Sequence, residues 1–156
     1  MSECNTYTGD LEIAINDNGD WDIRYFNGQP CMTDGFNTCV TLALFGDPDF
    51  WQNELTDKIE EKYISEFPEV IRTGKIDNDT INDGVSAIRN ALKFMITTGI
   101  AKSINVTGGV ISVYGLKWTI EIERDGTSSK YNINWNKGVI KIWFQQYQQL
   151  KKLRIE

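Results

Sequence analysis

Histidine is absent from all 156 residues. Every mechanism that needs an imidazole as base or ligand is thereby excluded, including Ser-His-Asp and Cys-His nucleophiles and histidine-bound metals. Cysteine is scarce: Cys4, Cys31 and Cys39 are odd in number and show no C-x-x-C spacing, which supports neither a disulfide framework nor a zinc knuckle. Reduced, mostly buried thiols are the expectation. Long apolar runs are lacking too. The stretch from Val40 to Phe45, broken by Thr41, falls far short of the roughly 18 apolar residues of a spanning helix. Met1 to Asp10 is polar and acidic, without the basic and apolar regions of a secretory leader, so synthesis and residence in the cytosol, away from membranes, are expected. In that setting the N-x-T sequons at Asn78 and Asn105 carry no meaning. The glycines form neither G-x-x-x-x-G-K-[ST] nor G-x-G-x-x-G, and nucleotide cradles are unsupported.

What is present describes an ordinary globular chain, 40% hydrophobic, 12% aromatic and 24% charged, of a size suited to one core. Its charge is divided along the chain. Residues 1–69 hold 15 acids against 3 bases, residues 70–126 hold 6 against 7, and residues 127–156 hold 1 against 6. The acidic front disfavours nucleic acid, because phosphate repulsion must be overcome before any base is touched. An acidic start and a basic end suit complementary protein surfaces, although a plain solvated surface explains them equally well.

The periodicities predict an α+β fold: an N-terminal β-hairpin, central helices and a C-terminal antiparallel β-meander. Leu11, Ile13 and Ile15 alternate with polar residues, residues 17–20 turn, and Trp21, Ile23 and Tyr25 answer. A loop is expected over Asn27 to Pro30. Gly35 to Phe45 has helical spacing, with Asp34 as cap and Gly46 in the left-handed conformation at its end. A short helix is expected around Glu54 to Tyr63. Ile81, Val85, Ile88, Leu92 and Met95 predict a long helix that Thr80 and Asp83 start and Gly99 closes. Beyond it the period becomes two. Gly108-Gly109 reads as a turn, then Leu116 to Glu123 and Tyr131 to Trp135 alternate cleanly around Asp125-Gly126. Residues 1–137 form one domain, and 138–156 a C-terminal extension whose pattern fits either a strand or a helix.

Without histidine, the enzymatic option is a carboxylate pair of the kind glycan hydrolases use, with Asp20, Asp22, Asp47, Asp49, Glu54 and Glu61 as candidates. They lie in polar stretches where solvated acids are the rule. Asp77-Asn78-Asp79 echoes a calcium loop, but Ile88 stands where the closing glutamate belongs, and a helix cap is the better reading. No metal or cofactor is implied. Trp118, Tyr131, Trp135 and Trp143 gather beside strands that end in an open edge. Each ring could simply fill the core, yet the cluster favours a protein partner over an active site, since open edges recruit strands.

The order of several motifs resembles a known family. Gly19-Asp20-Trp21 follows an alternating strand, Asp34-Gly35 leads into Thr38 to Phe45 and Gly46-Asp47, and Phe50-Trp51 comes next. Then follow residues 88–96 (IRNALKFMI), residues 99–106 (GIAKSINV) and a closing hairpin at Tyr131 to Trp135. Over roughly residues 10–136 the chain is similar to the small baseplate proteins of Mu-type contractile-tailed phages, related to the wedge component that initiates the tail sheath. The resemblance implies a structural virion protein, assembled in the host cytoplasm and present in several copies around the tail axis. It implies docking on baseplate wedge proteins and β-strand addition by the tail sheath protein to a C-terminal hairpin. Here that hairpin is Leu116 to Arg124 with Ser129 to Trp135, and the partner-binding residues are Trp118, Ile120, Ile122, Tyr131, Ile133, Trp135 and Trp143. A carboxylate glycan hydrolase and a non-sheath adaptor of a secretion-like machine are the alternatives.

Overall fold

Residues 9–18, 20–136 and 139–148 are described by the computed structural model, the last segment as main chain only. Six short strands open the chain, because alternation persists for only a few residues between turn-forming Asn, Asp and Gly. They are β1 (Asp10–Leu11), β2 (Ile13–Ile15), β3 (Trp21–Ile23), β4 (Tyr25–Phe26), β5 (Gln29–Pro30) and β6 (Met32–Thr33). β2 and β3 make the expected hairpin, with Ile13 opposite Ile23. The stretch read as a loop, Asn27 to Pro30, is instead the turn and return strand of a second hairpin. Asn27 and Gly28 both have positive φ, 51° and 77°, as a type I′ turn requires. β1 pairs with β6, and main-chain bonds from Glu12 to Cys31, Arg24 to Glu12 and Cys31 to Arg24 knit these segments together. Cys31 is fully buried and disulfide-bonded, contrary to the expectation of reduced thiols, while Cys39 is free. Cys4 lies outside the described residues.

α1 (Phe36–Phe45) starts where the Asp34 carboxylate accepts the Phe36 N–H at 3.1 Å. It ends at Gly46, which is extended (φ −65°) and not left-handed. Glycine serves there by yielding space, since an added Cβ would meet the Tyr63 ring. Two 3₁₀ turns, Trp51–Leu55 and Ile59–Glu61, replace the single helix expected over Glu54 to Tyr63. Asn53 explains the difference. Its amide donates to the carbonyls of Pro48 and Tyr63, and its own carbonyl accepts the Tyr63 N–H, closing the segment as a loop in competition with a helix.

α2 (Phe67–Thr73) carries Pro68 in its first turn, where no N–H is needed. The Ser65 hydroxyl just before it donates to the Leu44 carbonyl at 2.6 Å and ties α2 to α1. α3 (Asn78–Thr97) begins three residues before the expected start, because Asp77, not Thr80, is the cap and accepts the Thr80 N–H at 2.8 Å. That hydrogen bond holds the Asp77 carboxyl below its ordinary range. The helix ends ahead of Gly99, which takes the left-handed φ of 78°.

Four ten-residue strands follow: β7 (Ser103–Ser112), β8 (Gly115–Arg124), β9 (Thr127–Asn136) and β10 (Val139–Gln148). They form one antiparallel sheet in the order β10-β9-β8-β7. Gly108 and Gly109 lie inside β7, and the chain turns at Val113 and Tyr114 instead. Gly108 is there because a Cβ would stand 2.6 Å from Ile81 and 3.1 Å from Trp118. The ambiguous extension is a strand over Val139–Gln148; residues 137, 138 and 149–156 lie outside the described set.

This is the α+β arrangement the periodicities predict. α3 packs Ile81, Gly84, Ala87, Ile88, Ala91, Leu92 and Met95 toward the sheet, with α1 and α2 completing the core through Phe36, Val40, Leu44, Phe67 and Ile71. The close approach centres on Trp118. Its indole lies against Gly84, meets the Phe67 ring edge-on at 5.1 Å, and donates from Nε1 to the Ile81 carbonyl at 3.1 Å. A mid-helix glycine costs about 1 kcal/mol relative to alanine, and here it admits the indole. Among the described residues no helix is long and apolar enough to cross a membrane.

Candidate functional site

Strand alternation decides which sheet residues can meet a partner, since successive side chains point to opposite faces. On one face of β8 and β9 stand Trp118, Ile120, Ile122, Tyr131, Ile133 and Trp135, the residues named from the resemblance as partner-binding. All six are at most 9% exposed and belong to the core. Within the chain their side chains pack the core and are not available as a contact surface. Trp143 lies on β10 opposite Asn132, and its side chain is outside the described set.

Tyr131 illustrates how firmly this face is engaged. Its hydroxyl donates to Asn37 on α1 at 2.8 Å, its ring lies 6.5 Å from that of Phe36, and burial pushes its phenol well above the ordinary range. Arg124, at the end of β8, stacks over Phe36 at 3.6 Å and pairs with Asp34 at 3.8 Å. The opposite face is polar and half-exposed. Thr119 bonds Asn132 across the strands at 3.0 Å, and Lys130 pairs with Glu121 at 3.5 Å.

The hairpin expected to act as template is also occupied along both edges. β8 is paired with β7 and β9, and β9 with β8 and β10. Main-chain donors and acceptors for an added strand therefore sit elsewhere, on β7 and β10, which have one neighbour each among the described residues. The two edges differ. β7 lies under α3, and the Arg89 guanidinium of that helix donates to the Val106 carbonyl at 3.3 Å. β10 runs for ten residues in unbroken register with β9, from Val139 opposite Asn136 to Gln148 opposite Thr127. Its sequence holds no proline and one charge, Lys141, so few of the usual devices that discourage pairing are present.

At the far end of β7, Val110, Ile111, Val113 and Tyr114 form an exposed apolar tip, Val113 at 79%. The carboxylate candidates are not assembled into a dry pair. All six are exposed, and several serve local structure: Asp47 accepts the Asp49 N–H, Asp22 the Ile23 N–H, and Glu61 both Thr56 and Lys58. The Lys58 bond holds the Glu61 carboxyl below its ordinary range. Among the described residues no group of three or more cysteine, histidine, aspartate or glutamate side chains is placed to hold a metal ion. Compared with known proteins, the chain matches no family model, no curated protein and no solved structure.

Proposed function

We propose that this chain is a structural component of a Mu-type contractile-tail baseplate, and that it receives strands of the tail sheath protein along the outer edge of β10. The carrying observation is the ten-residue edge of β10, which has no neighbour on its outer side among the described residues, on a sheet whose β8 and β9 side chains pack in the core. The order of motifs over residues 10–136 supports the family, and the packing of β8 and β9 on the helices supports the edge. A strand added there pairs through main-chain groups already extended and aligned, which spares the first sheath subunits part of the ordering cost of nucleation.

The proposal moves the template from Leu116 to Trp135 outward to Val139–Gln148. The hydrolase reading has less support, because the candidate acids are solvated and engaged in turns. The adaptor reading differs only in the partner. Affinity capture of the tagged chain from cells assembling the particle, with mass spectrometry of the catch, separates them. Sheath and wedge subunits together support the proposal, and a catch holding other tail proteins but no sheath points to the adaptor.

A further inference from the structure

On the helical side of the molecule, away from the sheet edges, α3 carries a second stripe. Asn90, Phe94 and Thr97 follow spacings of four and three beside the core residue Ala87, and together they line a groove. Its other wall is the segment from Ile59 to Glu66, and the groove encloses about 660 Å³. Ala87, Phe94, Ile59 and Ile64 make it apolar, and Ile59 is 62% exposed.

Lys62 and Lys93 also line it, and neither has an ion-pair partner among the described residues. Glu66, the residue preceding α2, is the single acid of the lining among the described residues. From Ala87 to Thr98 the helical wall is about 17 Å long, three turns at 1.5 Å per residue.

We infer that this groove binds an amphipathic, acidic α-helix of about three turns from a partner protein. The apolar floor accepts one face of such a helix, and Lys62 and Lys93 meet its carboxylates. The two lysines outnumber the one described acid of the lining, which favours an acidic over a basic helix at this place. The described residues that line the groove come from α3 and the segment before α2 and not from the sheet, so the inference is tested separately from strand addition.

The test uses the full chain and two capped, fluorescently labelled peptides with identical apolar spacing. One carries glutamates on its polar face and the other lysines. Anisotropy titrations should show saturable binding of the acidic peptide, weakening with salt, and none of the basic one. The double reversal Lys62→Glu with Lys93→Glu touches only groove-lining surface lysines and should weaken binding by about tenfold or more with an unchanged melting temperature. A second variant, Asn90→Trp, fills the groove from an exposed position and should abolish binding without charge change. Equal binding of both peptides, no binding of the acidic peptide at about 1 mM, or full affinity in the folded charge-reversed variant would each overturn the inference.

Discussion

Replacing Gly84 by alanine should destabilise the protein, against the sign that helix propensity alone predicts. In an unconstrained helix the exchange gains about 1 kcal/mol. Here the new Cβ would stand 2.5 Å from Cε2 and 2.7 Å from Cζ2 of Trp118, roughly 1 Å inside ordinary contact distance. The indole cannot move aside freely, being fully buried, hydrogen-bonded to Ile81 and packed on Phe67. Overpacking costs about 1–3 kcal/mol, and an overlap of this depth against a fixed ring puts it at about 2–3 kcal/mol, leaving a net loss of about 1–2 kcal/mol after the propensity gain. For a chain of this length that lowers Tm by roughly 2–8 °C. Gly109→Ala is the control, because its Cβ meets nothing within 4 Å and should stabilise by about 0.5–1 kcal/mol. Urea unfolding of both variants, and of Gly84→Ala combined with Trp118→Leu, checks the cause. In the leucine background the cost of Gly84→Ala should shrink by about 1 kcal/mol. A stabilising Gly84→Ala, or a cost unchanged without the indole, refutes this account of the helix-sheet contact.

Tyr131 and Asp77 predict opposite limbs of the pH-stability curve. Burial raises the folded-state pKa of Tyr131 above the unfolded value of about 10, so its contribution is complete below pH 10 and is lost as pH rises beyond it. Tyr131→Phe should flatten that alkaline limb in urea unfolding and cost about 1 kcal/mol at neutral pH, through the lost bond to Asn37. The Asp77 carboxyl is lowered by the Thr80 N–H, so its contribution is complete above about pH 4 and is lost as pH falls through the folded-state value. Asp77→Ala should lower stability at neutral pH and weaken the acid limb. Asp77→Asn, still a good cap, should restore part of the neutral loss but not the acid dependence.

Regular periods were legible and long-range neighbours were not. Leu116 to Trp135 alternates over two full strands around Asp125-Gly126, and that hairpin stands as read. α3 was equally plain, but Asp77 and Thr80 are both capping residues, and only the Thr80 N–H pointing back to Asp77 settles the start. Gly108-Gly109 has the composition of a turn, yet Gly108 answers to Trp118 and Ile81, which are distant in sequence. Asn27-Gly28 is a local signal of a type I′ turn that the proline at 30 obscured. For the site, alternation told which residues share a face but not which face meets the core. The mixed period after Gly138 hid β10, and with it the fact that the β8–β9 hairpin has no free edge.

Amide hydrogen exchange across residues 139–148, with and without purified sheath protein, tests strand addition most directly. Alternate N–H groups of an edge strand point away from the sheet, and those of β10 should exchange quickly in the free chain. The account predicts that sheath protein slows these outward amides while β8 and β9 stay as protected as before. Protection that appears along β7 instead, or nowhere in the sheet, contradicts the assignment of β10 as the receiving edge.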